Sequence, residues 1–276
     1  MSTWWAQVGR LRVMLSATII DVRFWLWRRR HPGTPFSRFY ADVIAARLNA
    51  GRAHHSLGKR QYDSSSRASS QRTSDSWTIG TFAQRGRDQA NLLLELGLRV
   101  TDHCIDYGCG SLRIGQQLIR LLPPAHYCGL DVTDRFFLDG LSLIDPALIA
   151  GKQPRLAIID EAVLAELALV PPDFLFSYAV LKHVPPAEVT AYFDEITRLI
   201  GPNSLACIFF VSGRKTTPAG SMSWVHAGTE LLAQLRQRYP TLTISLRELT
   251  HGRNQQTAQF NDAVLQLAGR DRVPSA

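Results

Sequence analysis

From His103 onward the chain alternates short apolar runs with amphipathic stretches. Runs of four to eight apolar residues between polar turns read as buried strands. Longer stretches with apolar residues three and four apart read as helices. This pattern predicts a first strand at His103–Tyr107 and a helix over Leu112–Leu122. A second strand follows at Tyr127–Asp131, with a helix within 134–149. The third strand is expected at Leu156–Ile159, followed by a short helix, and the fourth at Phe174–Tyr178, followed by a helix over Ala187–Ile200. The fifth is Leu205–Val211, with a helix over Thr229–Tyr239. Leu242–Leu246 and Ala258–Leu267 close the chain as two strands with no helical pattern between them. Five βα units and a closing hairpin predict an α/β fold. Its core is a doubly wound, mostly parallel seven-stranded sheet whose last strand is antiparallel. Ligands of such sheets bind beyond the carboxyl ends of the strands, where strand order reverses.

The sheet pattern is preceded by a helical N-terminal extension. Over residues 3–27, Trp4, Val8, Leu11, Leu15, Ile19, Val22 and Leu26 fall on one helical stripe. Val13, Ile20, Phe24 and Trp27 form a second strip, and Arg28, Arg29 and Arg30 close the segment. The longest charge-free apolar stretch, Val13 to Ile20, is far short of the ~20 residues that a bilayer-spanning helix needs. Tryptophans and arginines around an apolar stripe suit a helix lying in a membrane interface. They equally suit a helix packed on the rest of the chain or on a second subunit, and both readings stay open. A second short helix is expected over Phe36–Leu48. Residues 63–76 are almost wholly polar and Ser-rich, which reads as a linker. The expected organisation is a basic amphipathic extension at 1–62, a linker at 63–76 and one catalytic domain at 77–276.

Charge sharpens that division. Residues 1–76 hold 13 Lys or Arg and 4 Asp or Glu, a balance of +9, whereas residues 77–276 hold 18 and 19, a balance of −1. An anionic partner for the N-terminal quarter is therefore expected, either a membrane surface or nucleic acid. Cys104, Cys109, Cys128 and Cys207 are scattered without CxxC spacing or a partner His pair. That argues against a zinc or disulfide framework and for reduced thiols in the cytosol.

The first predicted strand runs into Ile105-Asp106-Tyr107-Gly108-Cys109-Gly110-Ser111. Two glycines after a strand permit a tight turn and close approach of a ligand to the backbone. A nicotinamide fingerprint would need a third glycine where Arg113 stands. Asp106-x-Gly108-x-Gly110 instead resembles the first motif of class I S-adenosylmethionine-dependent methyltransferases. The resemblance continues for about a hundred residues. Tyr127–Asp131 looks like the second strand, Ile158–Ala162 like the adenine-side segment, and Pro172–Val184 like the fourth strand and its loop. Ile196–Pro202 resembles the helix and turn before strand five. Gly110-Ser111-Leu112-Arg113-Ile114-Gly115 departs from the commonest form, which has glycine where Leu112 stands. It is similar to a variant in bacterial methyltransferases linked to glycan or natural-product modification.

The resemblance implies S-adenosyl-L-methionine as cofactor. Asp106, Gly108, Cys109 and Gly110 would hold its methionine part, Asp131 its ribose hydroxyls and Asp160 its adenine amine, with Ser177 as a further cofactor-binding residue. No metal is implied, since Ser177 and Tyr178 stand where a metal-dependent O-methyltransferase places a carboxylate. His183, shortly after strand four, is the candidate base, because an imidazole titrating near ~6.5 suits proton removal at neutral pH. A structural His in this loop is the competing reading. The polar stretch Ser212–His226 suits a lid, with Tyr178, Trp224 and His226 facing the acceptor; an ordinary surface loop with Trp224 tucked onto the core is the equal alternative.

The expected activity is O-methylation of a glycan, lipid-linked or natural-product hydroxyl. The expected location is cytoplasmic, with peripheral contact to the inner face of the membrane through residues 1–30. RNA methylation, protein methylation and a non-catalytic cofactor-binding scaffold are the alternatives. A near-neutral domain without an Asn/Asp-Pro-Pro-Tyr/Phe motif makes nucleic acid the weaker partner.

Overall fold

The structure, a computed structural model, describes residues 19, 22–49, 79–220, 222–249 and 261–272. The linker at 63–76 and all of the predicted 3–27 helix except residues 19 and 22–27 lie outside the described residues.

The chain builds a three-layer α/β sandwich. Its strands are β1 (Cys104–Tyr107), β2 (Tyr127–Asp131), β3 (Arg155–Ile158), β4 (Phe174–Tyr178), β5 (Leu205–Gly213), β6 (Thr217–Gly220), β7 (Ser223–Ala227), β8 (Thr243–Glu248) and β9 (Asn261–Ala268). The main sheet runs β3-β2-β1-β4-β5-β9-β8, with β9 antiparallel to both of its neighbours and the β3-to-β5 pairs parallel. That is the seven-strand arrangement expected from the pattern.

Alternation along the strands divides the core in two. Cys104, Phe174, Phe176, Leu205, Cys207 and Phe209 face one helical layer. Ile105, Leu175, Ala206, Ile208 and Phe210 face the other. A side-chain period of two on strands buried on both faces produces this split. The helices are α1 (Phe36–Asn49), α2 (Ile79–Glu95), α3 (Gly115–Leu121), α4 (Asp134–Leu141), α5 (Pro146–Lys152), α6 (Glu161–Leu169), α7 (Val189–Arg198) and α8 (Gly228–Arg238). Leu93 of α2 and Leu96 just after it, with Leu118 and Ile119 of α3, cover the first face; Leu164 of α6, Phe193 and Ile196 of α7 and Leu231 of α8 cover the second.

Three departures from the sequence pattern have physical causes. The single helix expected within 134–149 is two, α4 and α5. Pro146 disfavours helical backbone at Asp145, and the Asp145 carboxylate instead accepts the N–H of Ala147 and starts α5. Helix α2 is absent from the predicted set, because its inward positions Phe82, Gly86 and Ala90 include two small residues. The expected lid at Ser212–His226 contains a β-hairpin, β6 and β7. Strand β5 outruns β4, and β7 pairs in parallel with its overhang, Ser212 opposite His226.

The N-terminal layer packs on this body. Phe36, Phe39, Val43 and Ile44 of α1 bury against Phe136 of α4 and Met222, with Phe24, Trp27 and Trp224 alongside. Both oxygens of Glu188 accept the Phe36 N–H, at 3.0 and 2.9 Å, so a carboxylate stands at the positive end of α1. Of the two readings of the extension, the described part follows the one in which it packs on the domain.

Candidate active site

A cleft of about 210 Å³ opens at the carboxyl ends of β1 and β4, the point where strand order reverses. The β1–α3 turn forms its floor. Gly108 has φ +85° and donates its N–H to Leu130 O. A side chain there would put Cβ 2.1 Å from Val180 Cγ2, so only glycine lets the turn lie against the segment after β4. Gly110 has φ +54°, and nothing stands within 4 Å of where its Cβ would be. Leu112 occupies the position where the commonest motif has glycine, and it keeps the left-handed backbone, φ +57°. Its side chain is fully buried in the core, which offsets a conformational cost of about 1–2 kcal/mol.

Two buried acids hold the turn. Asp106 is 2% exposed and accepts the Tyr127 hydroxyl at 2.7 Å. Burial pushes its pKa up to about 7; the Tyr127 hydrogen bond opposes the rise, the Asp131 charge adds to it and Arg113 lowers it. Asp131 ends β2 and accepts the N–H groups of Gly110 at 2.7 Å and Val132 at 2.8 Å. Its pKa rises to about 6, because burial outweighs the backbone donors of Gly110, Val132 and Thr133.

The opposite wall comes from Tyr178, Ala179, Val180, Lys182 and His183. Ala179 is left-handed at φ +63°, a strained conformation for a residue with a side chain, and it lines the cleft. The Nδ1 of His183 lies 2.7 Å from Met222 O. A carbonyl only accepts, so Nδ1 carries the hydrogen and Nε2 carries the lone pair. Tyr40 of α1 lies against the imidazole, ring centroids 5.0 Å apart. Ser37, Tyr40 and Phe82 bring the N-terminal layer and α2 into the cleft wall.

A second cavity of about 360 Å³ adjoins the first and shares Arg113, Tyr178, Ala179 and Lys182 with it. Phe209, Phe210, Val211 and Leu249 supply its apolar surface; Arg85, Asp88, Gln89 and Asp262 supply polar groups. Tyr178 stands in the partition, packed on Phe209 at 4.8 Å with the Arg113 guanidinium 5.9 Å above its ring.

The fold thus gathers Asp106, Gly108, Cys109, Gly110, Asp131, Tyr178 and His183 at one cleft. Four expected residues lie elsewhere. Ser177 is wholly buried on the far face of β4, where its hydroxyl donates to Tyr107 O and accepts from Tyr192. Asp160 is exposed and caps α6 through the Val163 N–H at 2.8 Å, outside the cleft wall. His226 is 3% exposed, with Nε2 bonded to Leu181 O at 2.9 Å; burial holds its pKa below the usual imidazole range. It braces the hairpin against the segment after β4. Trp224 packs edge-on to Phe36 and serves the N-terminal layer. Tyr40 and Phe82 come to the cleft without any motif to mark them, whereas Lys182 comes with the loop after the fourth strand. Only the place of Tyr40 on an apolar helical face hinted that it packs inward.

No protein-family profile matches the chain, and no curated protein matches it. Solved structures do. The (4+2)-cyclase SpnF superposes with a TM-score of 0.52 at 13% identity, covering 72% of this chain and 85% of SpnF. The 1,6-didemethyltoxoflavin-N1-methyltransferase of Burkholderia thailandensis, solved with 1,6-didemethyltoxoflavin and S-adenosylhomocysteine, superposes at 0.50 with 13% identity. That match covers 85% of this chain and 91% of the methyltransferase. The chain has the class I methyltransferase fold. One of these two likenesses is named as a cyclase, so the fold alone does not set the reaction.

Proposed function

We propose that this chain, built on the class I methyltransferase fold, transfers a methyl group from S-adenosylmethionine to a hydroxyl of a glycan, lipid-linked or natural-product acceptor. The observation that carries the reading is the convergence of Asp106, the Gly108–Gly110 turn and Asp131 on one cleft at the switch point. Those residues fit the cofactor. It is cationic and bears two ribose hydroxyls, and the cleft offers two buried carboxyls beside a glycine turn with open space at Gly110. A neighbour of the same fold holds S-adenosylhomocysteine.

The cofactor supplies a methyl group on a sulfonium. The chain's own work is to hold the acceptor in line and take its proton. Asp131 accepts from the ribose hydroxyls and keeps the turn closed. The second cavity takes the body of the acceptor, and its size suits a small molecule. His183 Nε2 removes the hydroxyl proton, while the Met222 carbonyl fixes the tautomer. The positive balance of the first 76 residues is matched by no basic excess in the rest of the chain, which favours small acceptors over RNA.

The direct test incubates the purified chain with methyl-labelled S-adenosylmethionine and extracts of glycolipids and small metabolites, beside calorimetric titration of the cofactor. Cofactor binding with label entering one acceptor supports the reading; a folded chain that binds no S-adenosylmethionine overturns it.

Two further results are expected. His183→Ala lowers turnover by about 10²–10⁴-fold, while cofactor affinity changes little. Equal losses in both would assign His183 to structure alone. Cofactor affinity also depends on pH, because the raised carboxyl pKa values leave the free protein partly protonated at pH 6. A cation with hydroxyl donors binds the ionised acids, so affinity rises with pH and levels off above about 7. Asp131→Asn removes the step at about 6 and moves that of Asp106 to lower pH, because the Asp131 charge no longer raises it. Titration between pH 5.5 and 8 reads this directly, and a flat wild-type profile would refute the coupling.

A further inference from the structure

Residues 22–30 are helical, and the two sides of this helix meet different surroundings. Phe24 and Trp27 face inward. The Phe24 ring lies 5.0 Å from Phe36 and 5.3 Å from Phe39, and the Trp27 indole donates to Asp42 Oδ2 at 3.0 Å. These contacts fix how the helix is turned. On the outward side, Ile19 is 59% exposed, Val22 52%, Trp25 55% and Leu26 51%. At about 100° per residue Val22, Trp25 and Leu26 occupy one continuous stripe, with Arg29 within it and Arg23 and Arg30 along its edge. The Arg29 guanidinium lies 4.2 Å over the Trp25 ring. Four of the ten exposed large apolar side chains among the described residues fall in this short span. The exposure is therefore concentrated and not the ordinary scatter of a protein surface.

The chemistry of the stripe selects its partner. Residues 19–30 carry four arginines against one acid, Asp21. Nucleic acid would satisfy the arginines but offers nothing to bury Ile19, Val22 and Leu26. A second copy of the chain would cover the apolar side chains, but it would bring together two N-terminal quarters that each carry +9. An anionic bilayer surface supplies both partners at once: acyl chains below the headgroups and negative charge among them. Among the described residues no helix is long and apolar enough to cross a membrane, so the fitting geometry is a helix lying flat.

We propose that the outward face of residues 22–30 docks the protein on an anionic lipid surface, with Trp25 and Leu26 in the interface and Arg23, Arg29 and Arg30 among the headgroups. This docking stands apart from the methyl-transfer reading and is tested without it. Its position bears on the cleft all the same. Helix α1 lies between the docking helix and the cleft, giving Phe36 and Phe39 to one and Ser37 and Tyr40 to the other. The docking helix and α1 therefore both lie between the lipid and the cleft.

The test floats the full chain with vesicles of phosphatidylcholine alone or mixed with phosphatidylglycerol. The wild type is expected to float with the anionic vesicles, far less with neutral ones, and less as salt is raised. Trp25→Ser/Leu26→Ser lowers the bound fraction by at least about tenfold, and Arg29→Gln/Arg30→Gln removes most of the salt dependence. Thermal melting of each variant confirms that it stays folded, since these side chains are exposed. Failure of the wild type to float with anionic vesicles overturns the proposal. So does a folded Trp25→Ser/Leu26→Ser variant that floats as well as the wild type. A lipid-free dimer that this variant converts to monomer also overturns it, because the stripe would then be covered by a second copy.

Discussion

Asp131→Ala weakens S-adenosylmethionine binding by about two orders of magnitude, or about 3 kcal/mol, with the fold retained. Two losses add. The carboxylate no longer accepts from the ribose, and hydrogen bonds to a charged acceptor contribute about 1.5–3 kcal/mol each. The Gly110 N–H also loses its acceptor, so the glycine turn proposed to cradle the cofactor loosens before anything binds. Calorimetry beside a thermal melt separates the two losses. A melt shift without an affinity change would confine Asp131 to bracing the turn. Unchanged affinity and an unchanged melt would place the cofactor elsewhere.

Gly108→Ala is the most damaging single methyl in the site. It sets Cβ 2.1 Å from Val180 Cγ2 and forces a side chain into φ +85°. Overpacking costs about 1–3 kcal/mol and left-handed backbone about 1–2 kcal/mol, so a loss near 3 kcal/mol is expected in urea unfolding. Gly110→Ala is the control: its Cβ meets nothing within 4 Å, and only the backbone cost applies. The pair Gly108→Ala/Val180→Ala removes the clash but not the backbone strain, and it recovers part of the stability. Additive losses in that pair would show that contact with Val180 is not the cause.

The parts of the fold that were readable in advance are those where every side chain is apolar or period two is clean. β2 and β4 stand at the predicted residues, because buried parallel strands leave a run that nothing else explains. The hairpin in 217–227 was not readable: within β7 only Val225, His226 and Ala227 are buried, and its pairing partner is a strand overhang visible only in three dimensions. The site divides the same way. The convergence of Asp106 and Asp131 on one cleft was legible, because they stand at the carboxyl-terminal parts of β1 and β2 beside a glycine turn. Ser177 was misplaced although its strand was right, since alternation turns it toward Tyr192 while Tyr178 next to it faces the cleft. Tyr40 is separated from His183 by more than a hundred residues, and no local pattern announces their contact.

The two histidines near the hairpin bond in opposite directions across one seam. His183, on the segment after β4, reaches the Met222 carbonyl beside the hairpin; His226, on the hairpin, reaches the Leu181 carbonyl of that segment. The hairpin therefore cannot swing away from the sheet without breaking both bonds. If it swings, Met222 ceases to dictate which imidazole nitrogen of His183 holds the hydrogen. On the proposed reading of His183 as proton acceptor, the seam that holds the hairpin to the sheet is also what keeps the hydrogen on Nδ1 and leaves Nε2 to accept.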